Sequence, residues 1–438
     1  MRKLFLFAWA LTGFARALTG FASAAAAASV PGLDAIYPEL DAFYIDLHQN
    51  PELSGHEEKT SAKLAERLRR LGYEVTTGVG GTGVVALMKN GAGPTLMLRA
   101  DMDALPVEEK TGLPYASKVT VKSPGGGVVP VMHACGHDVH MTTLLGTASV
   151  LAKMKDKWRG TLMLIGQPAE ETIKGAEAML KDGLFIRFPK PTFAVALHDS
   201  AELPSGTVGY APGFFLAAVD SVDITIFGRG GHGAYPHKTI DPIVIAARTV
   251  LSLQTIVARE NNPLDPAVVT VGSIHGGFKN NIIPDEVKLQ LTVRSYSEEV
   301  RKKLLAGIAR IAKAEAAAAS APKEPTVAIV ESIGATYNDP ALTKRVAATL
   351  AKALGDSNVS TIAPKMGAED FGAYGRAGVP ALMFDLGAVE PGSFEKAKAS
   401  GTPLPSLHSS EFAPDRERTL RTGVSALTAV SLDLLAKK

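Results

Sequence analysis

The 438-residue chain holds a single cysteine, Cys135. One thiol forms no internal disulfide, so a disulfide-stapled framework is excluded. A cysteine-paired zinc finger and the C-x-x-C-H attachment of a c-type haem fall on the same count. An excess of either charge is also lacking: 46 Lys and Arg stand against 44 Asp and Glu, for a formal net charge of +2. No Lys/Arg cluster is interleaved with aromatics, so nothing points to nucleic acid or acidic lipid as a partner. There is no long-range internal repeat. Beyond the N-terminus, no apolar run approaches the ~20 residues of a membrane span. With 46% hydrophobic and 21% charged residues, the chain reads as globular, with length for two or three domains.

The N-terminus has a different composition. "MRK" is a short basic start, "LFLFAWALTGFA" an apolar run, and "ASAAAAAS" a stretch of small residues with Ala22-Ser23-Ala24 as a cleavage site. That order reads as a secretory signal over residues 1–28 and places the mature chain in the periplasm, free of the membrane. A retained anchor would hold Arg16 mid-span, at a cost of roughly 2.5–3.5 kcal/mol. Export makes the lone thiol harder to explain, because an exposed one is open to oxidation. Burial as a small apolar residue is the plain alternative.

From Leu33 to about Tyr210, helical patterns alternate with short apolar runs. "EEKTSAKLAERLRRLGYEV" and "MTTLLGTASVLAKMK" read as helices. "GTGVVALM", "PTLMLRAD", "GTLMLIGQP" and "TFAVALHDS" read as strands. This order predicts an α/β catalytic domain with a mixed, largely parallel sheet flanked by helices. Sites in such sheets form beyond the C-terminal strand ends, where Asp101, Glu170, Glu171, His198 and Asp199 fall. From Gly213 the order becomes β-α-β-β-α-β, the ferredoxin-like arrangement, in which Asp241 caps the helix that Pro242 opens. Residues 29–212 and 334–438 are read as two parts of the catalytic domain, and 213–333 as a smaller domain inserted between them.

Three of the chain's ten histidines, His133, His137 and His140, crowd Cys135 in "MHACGHDVHM". Cys135 and His137 are two apart, and in extended backbone i and i+2 share a face. Glu171 of "QPAEET", His198 of "ALHDS" and His408 of "SLHSSEF" would complete a set of one sulfur, three imidazoles and one carboxylate. Such a set suits one or two divalent ions such as zinc, with manganese, cobalt or nickel as further fits. A metal would also shield the thiol. Glu170, next to Glu171, is free to move a proton. A solvated acidic loop is the alternative for the pair. Cys135 as a nucleophile, oriented by a histidine and Asp138, leaves the glutamates and the distant histidines unexplained. "GRGGHG" has the spacing of a dinucleotide fingerprint, but "AYPHKTI" stands where a helix should open, and no acid lies at the required offset.

Taken in order, "LRADMDALPVEEKTGLPYAS", "MHACGHDVHMTTLLGTA", "GQPAEETIKGAEAML", "ALHDS", "GRGGHGAYPHKTIDPI", "NNIIPDEVKLQLTVRS", "MGAEDFGAY" and "LHSSEF" resemble the M20 metallopeptidase and aminoacylase family, in its branch of hippurate hydrolases and auxin–amino acid conjugate hydrolases. The resemblance runs from "DLHQNPELSGHEEKT" to the C-terminus. It implies a hydrolase with two divalent metal ions per subunit, held by Cys135, His137, Glu171, His198 and His408, with Glu170 as general base. It implies that Asp103 orients ligands, and that Asn281 and Arg294 hold a free substrate carboxylate. It further implies a homodimer formed through the inserted domain, with His232 reaching the partner's site. The substrate implied is an N-acyl or N-aroyl amino acid, or alternatively a short peptide. Ala368 in "MGAEDF" stands where relatives more often carry Ser, a departure that touches no ligand.

Overall fold

The computed structural model describes residues 30–122 and 126–437; the signal segment read over residues 1–28 lies outside them. An eight-stranded sheet forms the larger domain. Its order is Glu74–Val79, Gly83–Asn90, Gly160–Gln167, Thr95–Asp101, Phe193–Pro204, Ala381–Val389, Val208–Tyr210 and Val359–Thr361. The four strands at its centre, from Gly160–Gln167 to Ala381–Val389, run parallel. Antiparallel pairs flank them, making the sheet mixed.

The apolar runs follow from burial on both faces. Along Gly83–Asn90, Val84, Ala86 and Met88 enter one core, while Val85 and Leu87 enter the other. Leu162 and Leu164 part from Met163 and Ile165 in the same way. The first core is covered by the helices Leu33–Gln49, Glu58–Arg70, His137–Lys153 and Arg416–Leu434. His137–Lys153 is enclosed from His137 through Leu151, which is why its sequence lacks a polar face. The second core packs Met179, Phe371 and Tyr374.

A four-stranded antiparallel sheet of order Ala267–His275, Glu286–Ser295, Ala218–Phe227 and Thr326–Ile333 forms the smaller domain. Helices Pro242–Thr255 and Glu298–Ala318 cover one face, so its strands alternate, with Val287, Leu289, Leu291 and Val293 pointing inward. The Asp241 side chain accepts the Ile243 amide at the first helix, with Pro242 in its first turn. Ser297 accepts the Val300 amide at the second. The chain leaves and re-enters the larger domain through Gly213–Leu216 and Thr336–Asn338, which pair as a short antiparallel ribbon.

Three local expectations are corrected. Cys135 and His137 do not lie in an extended segment: Gly136 takes φ +73°, and His137 opens a helix. His198 and Asp199 are not at a strand end, because their strand continues to Pro204. Among the described residues one helix of spanning length does exist, Pro242–Glu260, by length and composition alone. Its Ile245, Ala246, Leu253 and Ile256 pack into the smaller domain's core.

Candidate metal centre

Parallel strands deliver the site to one edge of the sheet. Asp101 ends its strand opposite Gln167, and Glu170 follows three residues later. His198 sits on the next strand, in register with Asp385. His137 arrives on the buried helix. His408 comes from the C-terminal segment, with φ +66° and its amide bonded to the Ala134 carbonyl at 2.8 Å.

The ligand-type atoms converge. Cys135 Sγ lies 3.2 Å from His408 Nε2 and 3.6 Å from His198 Nε2. His137 Nε2 is 3.8 Å from Glu170 and 3.9 Å from Glu171, and His408 Nε2 is 3.5 Å from the other Glu171 oxygen. Cys135, His137 and His198 form one group whose ligand atoms all lie within 4.8 Å of one another. Cys135, Glu171 and His408 form a second, and His137, Glu170 and Glu171 a third.

Supporting bonds fix these side chains. His137 Nδ1 donates to the Asp103 carbonyl at 2.8 Å, which turns Nε2 toward the glutamates. Asp103 Oδ2 accepts the Glu171 amide at 2.9 Å and the Ser54 hydroxyl at 2.6 Å. His198 Nδ1 donates to the Asp199 carbonyl at 2.7 Å, leaving Nε2 to face Cys135. This is the arrangement in which an outer partner sets the tautomer of a ligating histidine.

The residues fit a cation. His137 Nε2 and Glu171 Oε1 are buried and have no hydrogen-bond partner in the structure, a costly state for polar atoms unless something else satisfies them. The local field is negative. Burial, with Glu369, Glu171 and Asp370 nearby, pushes the Glu170 carboxyl well above its ordinary range. Burial raises Glu171 to about 7, with His137 opposing the rise and Asp103 and Asp101 adding to it. Burial and the Glu171 charge push the Cys135 thiol up as well. A divalent cation reverses each of these directions.

The histidines of "MHACGHDVHM" divide. His137 enters the group. His140 is held between Asp101 Oδ1 at 2.5 Å and Asp199 Oδ1 at 2.9 Å, with both ring nitrogens engaged. His133 is fully buried, and burial lowers it to about 4, so it packs as a neutral ring.

Sequence reasoning missed Arg99. Its guanidinium is buried and reaches Asp101 at 2.6 Å, Glu369 at 2.7 Å and Asp370 at 3.0 Å. One cation balances three acids there. A charge inside the apolar run "PTLMLRAD" was the available signal; two of its three acidic partners lie some 270 residues on.

A cavity of about 690 Å³ opens over the group. Cys135, Glu170, Glu171, His198 and His408 line one side. Arg294, Thr292 and Val219 of the smaller domain line another. Among the described residues, the Arg294 side chain bonds Thr292 Oγ1 at 3.3 Å and the Met366 carbonyl at 3.5 Å. His232 and Asn281 are brought to each other, through a two-residue ribbon and the Gly233 amide on the Asn281 carbonyl at 2.8 Å. Both are exposed and neither lines the cavity.

A mixed α/β sheet with a thiol, imidazole and carboxylate cluster beside its parallel strands, under a second domain, defines a metal-dependent hydrolase. Residues 97–415 match the model of peptidase family M20/M25/M40, and the chain belongs to this family. It is 39% identical over 388 residues to thermostable carboxypeptidase 2 of Saccharolobus solfataricus, covering 87% of this chain and 91% of that one. It is 40% identical over 332 residues to the hippurate hydrolase of Campylobacter jejuni, covering 75% and 82%. A solved dinuclear metal-binding M20 peptidase from Bacillus subtilis superposes with a TM-score of 0.74 at 28% identity, over 92% of this chain and 99% of that one.

Proposed function

We propose that the chain is an amidohydrolase that cleaves N-acyl or N-aroyl amino acids bearing a free carboxylate. The observation that carries this reading is the single cavity that sets the Glu170–Glu171 pair and its ligand group across from Arg294. Cys135, His137, Glu171, His198 and His408 would hold two divalent ions, zinc being the best match to a thiolate and imidazoles, with manganese, cobalt or nickel as alternatives. Such ions, when bound, make water more acidic and polarise a carbonyl.

The remaining steps belong to this chain's side chains. Glu170, buried among acids, takes the proton from the attacking water and delivers it to the leaving amine, work worth roughly 10²–10⁴-fold. Asp103 holds His137 and the Glu171 amide in place. Arg294 binds the substrate carboxylate by charge-assisted hydrogen bonds. Asn281 joins it, and His232 stabilises the developing oxyanion, both from a second copy of the chain. Exposure of His232 and Asn281 supports that last assignment. So does the apolar surface beside the unpaired edge strand Ala267–His275, where Val244 is 56% and Leu251 72% exposed. A two-fold pairing makes both crossings equivalent. Export to the periplasm stands on the N-terminal sequence.

A second reading, a carboxypeptidase or dipeptidase acting on short peptides, is favoured by the likeness to thermostable carboxypeptidase 2. Release of free amino acid from N-benzoyl and N-acetyl amino acids, compared with release from dipeptides, separates the two. The amidohydrolase reading expects kcat/KM at least about tenfold higher on the N-acyl amino acids, with loss on chelation and recovery on metal return. The reverse preference makes the chain a peptidase.

A further inference from the structure

The loop that carries Glu170 and Glu171 is bent against its own sequence. Ala169 and Ile173 take φ +52° and +53°, a left-handed region that side-chain-bearing residues rarely occupy, β-branched ones least of all. The bend closes tightly: the Ile173 amide donates to the Glu170 carbonyl at 2.6 Å, and the Lys174 and Gly175 amides donate to the Ala169 carbonyl. A Cβ on Gly175 would fall 1.6 Å from the Pro168 carbonyl oxygen, so the turn closes too tightly for any residue but glycine there.

Strain of this kind persists only where the surroundings over-determine it. Three carboxylates, each from a distant segment, do so. Asp103 accepts the Glu171 amide and Asp370 the Ala176 amide, each at 2.9 Å. The third is Glu57, which accepts the Ala169 amide at 2.9 Å on Oε1. Glu57 is fully buried. The same oxygen accepts the Gly55 amide at 2.8 Å, and Oε2 accepts the Thr82 hydroxyl at 2.5 Å. Among the described residues it makes no ion pair, and it lies outside the cavity lining. Of the three, it alone grips the residue that precedes Glu170.

We propose that Glu57 is a positioning residue for Glu170: its carboxylate holds the Ala169 amide in the left-handed bend and so fixes where the Glu170 carboxylate stands in the cavity. The inference rests on the assignment of Glu170 as proton carrier. It goes beyond that assignment by placing part of the proton transfer's geometry in the segment before the Glu58–Arg70 helix, which touches no substrate.

The test is Glu57→Gln in the full, metal-loaded chain, read in four ways. A carboxamide keeps the shape but offers one acceptor oxygen in place of two, and it lacks the negative charge that strengthens the bonds from the Gly55 and Ala169 amides and the Thr82 hydroxyl. We expect kcat to fall by about 10²-fold, the scale of a misplaced reacting group. KM should stay within about twofold and two metal ions per subunit should remain, because neither recognition nor the ligands have been touched. A structural defect would instead lower metal content and thermal stability together. Backbone exchange of Ala169 through Glu171 should quicken at least about tenfold. The fourth reading is the double variant Glu57→Gln/Ala169→Gly. Glycine adopts the left-handed bend without penalty, so kcat should recover by at least about fivefold over Glu57→Gln alone. Should Glu57→Gln not fold, Thr82→Val, which frees the other carboxylate oxygen, should show the same pattern at about a third of the logarithmic effect. A kcat within threefold of wild type with loop exchange unchanged would overturn the proposal, and so would a loss that Ala169→Gly does not relieve. If the wild-type chain hydrolyses no N-acyl amino acid, it is the functional reading that fails, and the exchange measurement still decides the role of Glu57.

Discussion

Glu171 and Arg294 line one cavity, but the two sides they belong to are built differently. On the Glu171 side, Cys135, His137 and Glu170 are buried, and so are Asp103, which holds His137, and Glu57, which holds the residue before Glu170. Asp103 alone connects Ser54, His137 and the Glu171 backbone. On the smaller domain's side, Arg294 makes two long hydrogen bonds, and His232 and Asn281 are exposed. The difference corresponds to two tasks. Groups that hold cations and move protons work best pre-organised in a low-dielectric pocket. Groups that meet a substrate or a partner chain must stay free until it arrives.

The contrast can be broken first at its charged anchors. Arg99→Met leaves Asp101, Glu369 and Asp370 without their shared cation. Stability should fall by about 3–5 kcal/mol, seen as a large drop in thermal midpoint. In the smaller domain, Arg301 pairs with Asp220 at 2.8 Å while remaining partly solvated. Arg301→Met should cost only about 1.5–3 kcal/mol. Equal losses would mean that the two domains are not built on different terms.

Next comes pH. Burial opposes charge on His48, but its hydrogen bonds to Asp138 and Glu109 outweigh burial and raise it to about 9. Its folded value exceeds its unfolded one, so the stabilisation is full below about pH 6.5 and is lost as pH rises through 9, on the order of 3 kcal/mol in all. Denaturant unfolding at pH 6 and pH 9.5 should show this alkaline loss in wild type. His48→Gln should flatten it.

On the free side the effects are kinetic. His232→Ala should lower kcat by about 10²-fold with little change in KM. Mixed with Glu170→Gln under subunit exchange, it should regain activity, because one site of the heterodimer then has both groups. A well-exchanged mixture that stays inactive would show that His232 does not cross. The smallest effect is reserved for Arg294→Ala, which should raise KM by about tenfold for substrates with a free carboxylate. The corresponding methyl esters should barely respond.

Much of this was legible in the chain because the signals were local. The central strands are buried on both faces, so they appear as unbroken apolar runs, and the smaller domain's strands alternate because one face is open. Cys135 and His137 stood out as candidate ligands because unusual types are crowded at short spacing around one cysteine, whereas Glu171, His198 and His408 lie far along the chain from it. Glu57 and Arg99 were not legible, for one reason. Each is defined by partners far along the chain, Ala169 at 112 residues from Glu57 and Glu369 at 270 from Arg99. A charge within an apolar run, like Arg99, or a glutamate among other charges before a helix, like Glu57, looks like any strand or helix boundary until the fold closes. Gly136 misled in the opposite way: the C-x-H spacing suggested a strand, whereas the left-handed glycine turns His137 into a helix and still brings it to Cys135.

The central claim is the division of labour between two adjacent carboxylates, Glu171 as ligand and Glu170 as proton carrier. Metal content by elemental analysis, paired with turnover, tests it on Glu170→Gln and Glu171→Gln. Glu170→Gln should keep close to the wild-type metal content while losing turnover by at least about 10²-fold. Glu171→Gln should lose both metal and turnover. Equal metal loss in the two variants, or a Glu170→Gln enzyme that still turns over near the wild-type rate, would contradict the account.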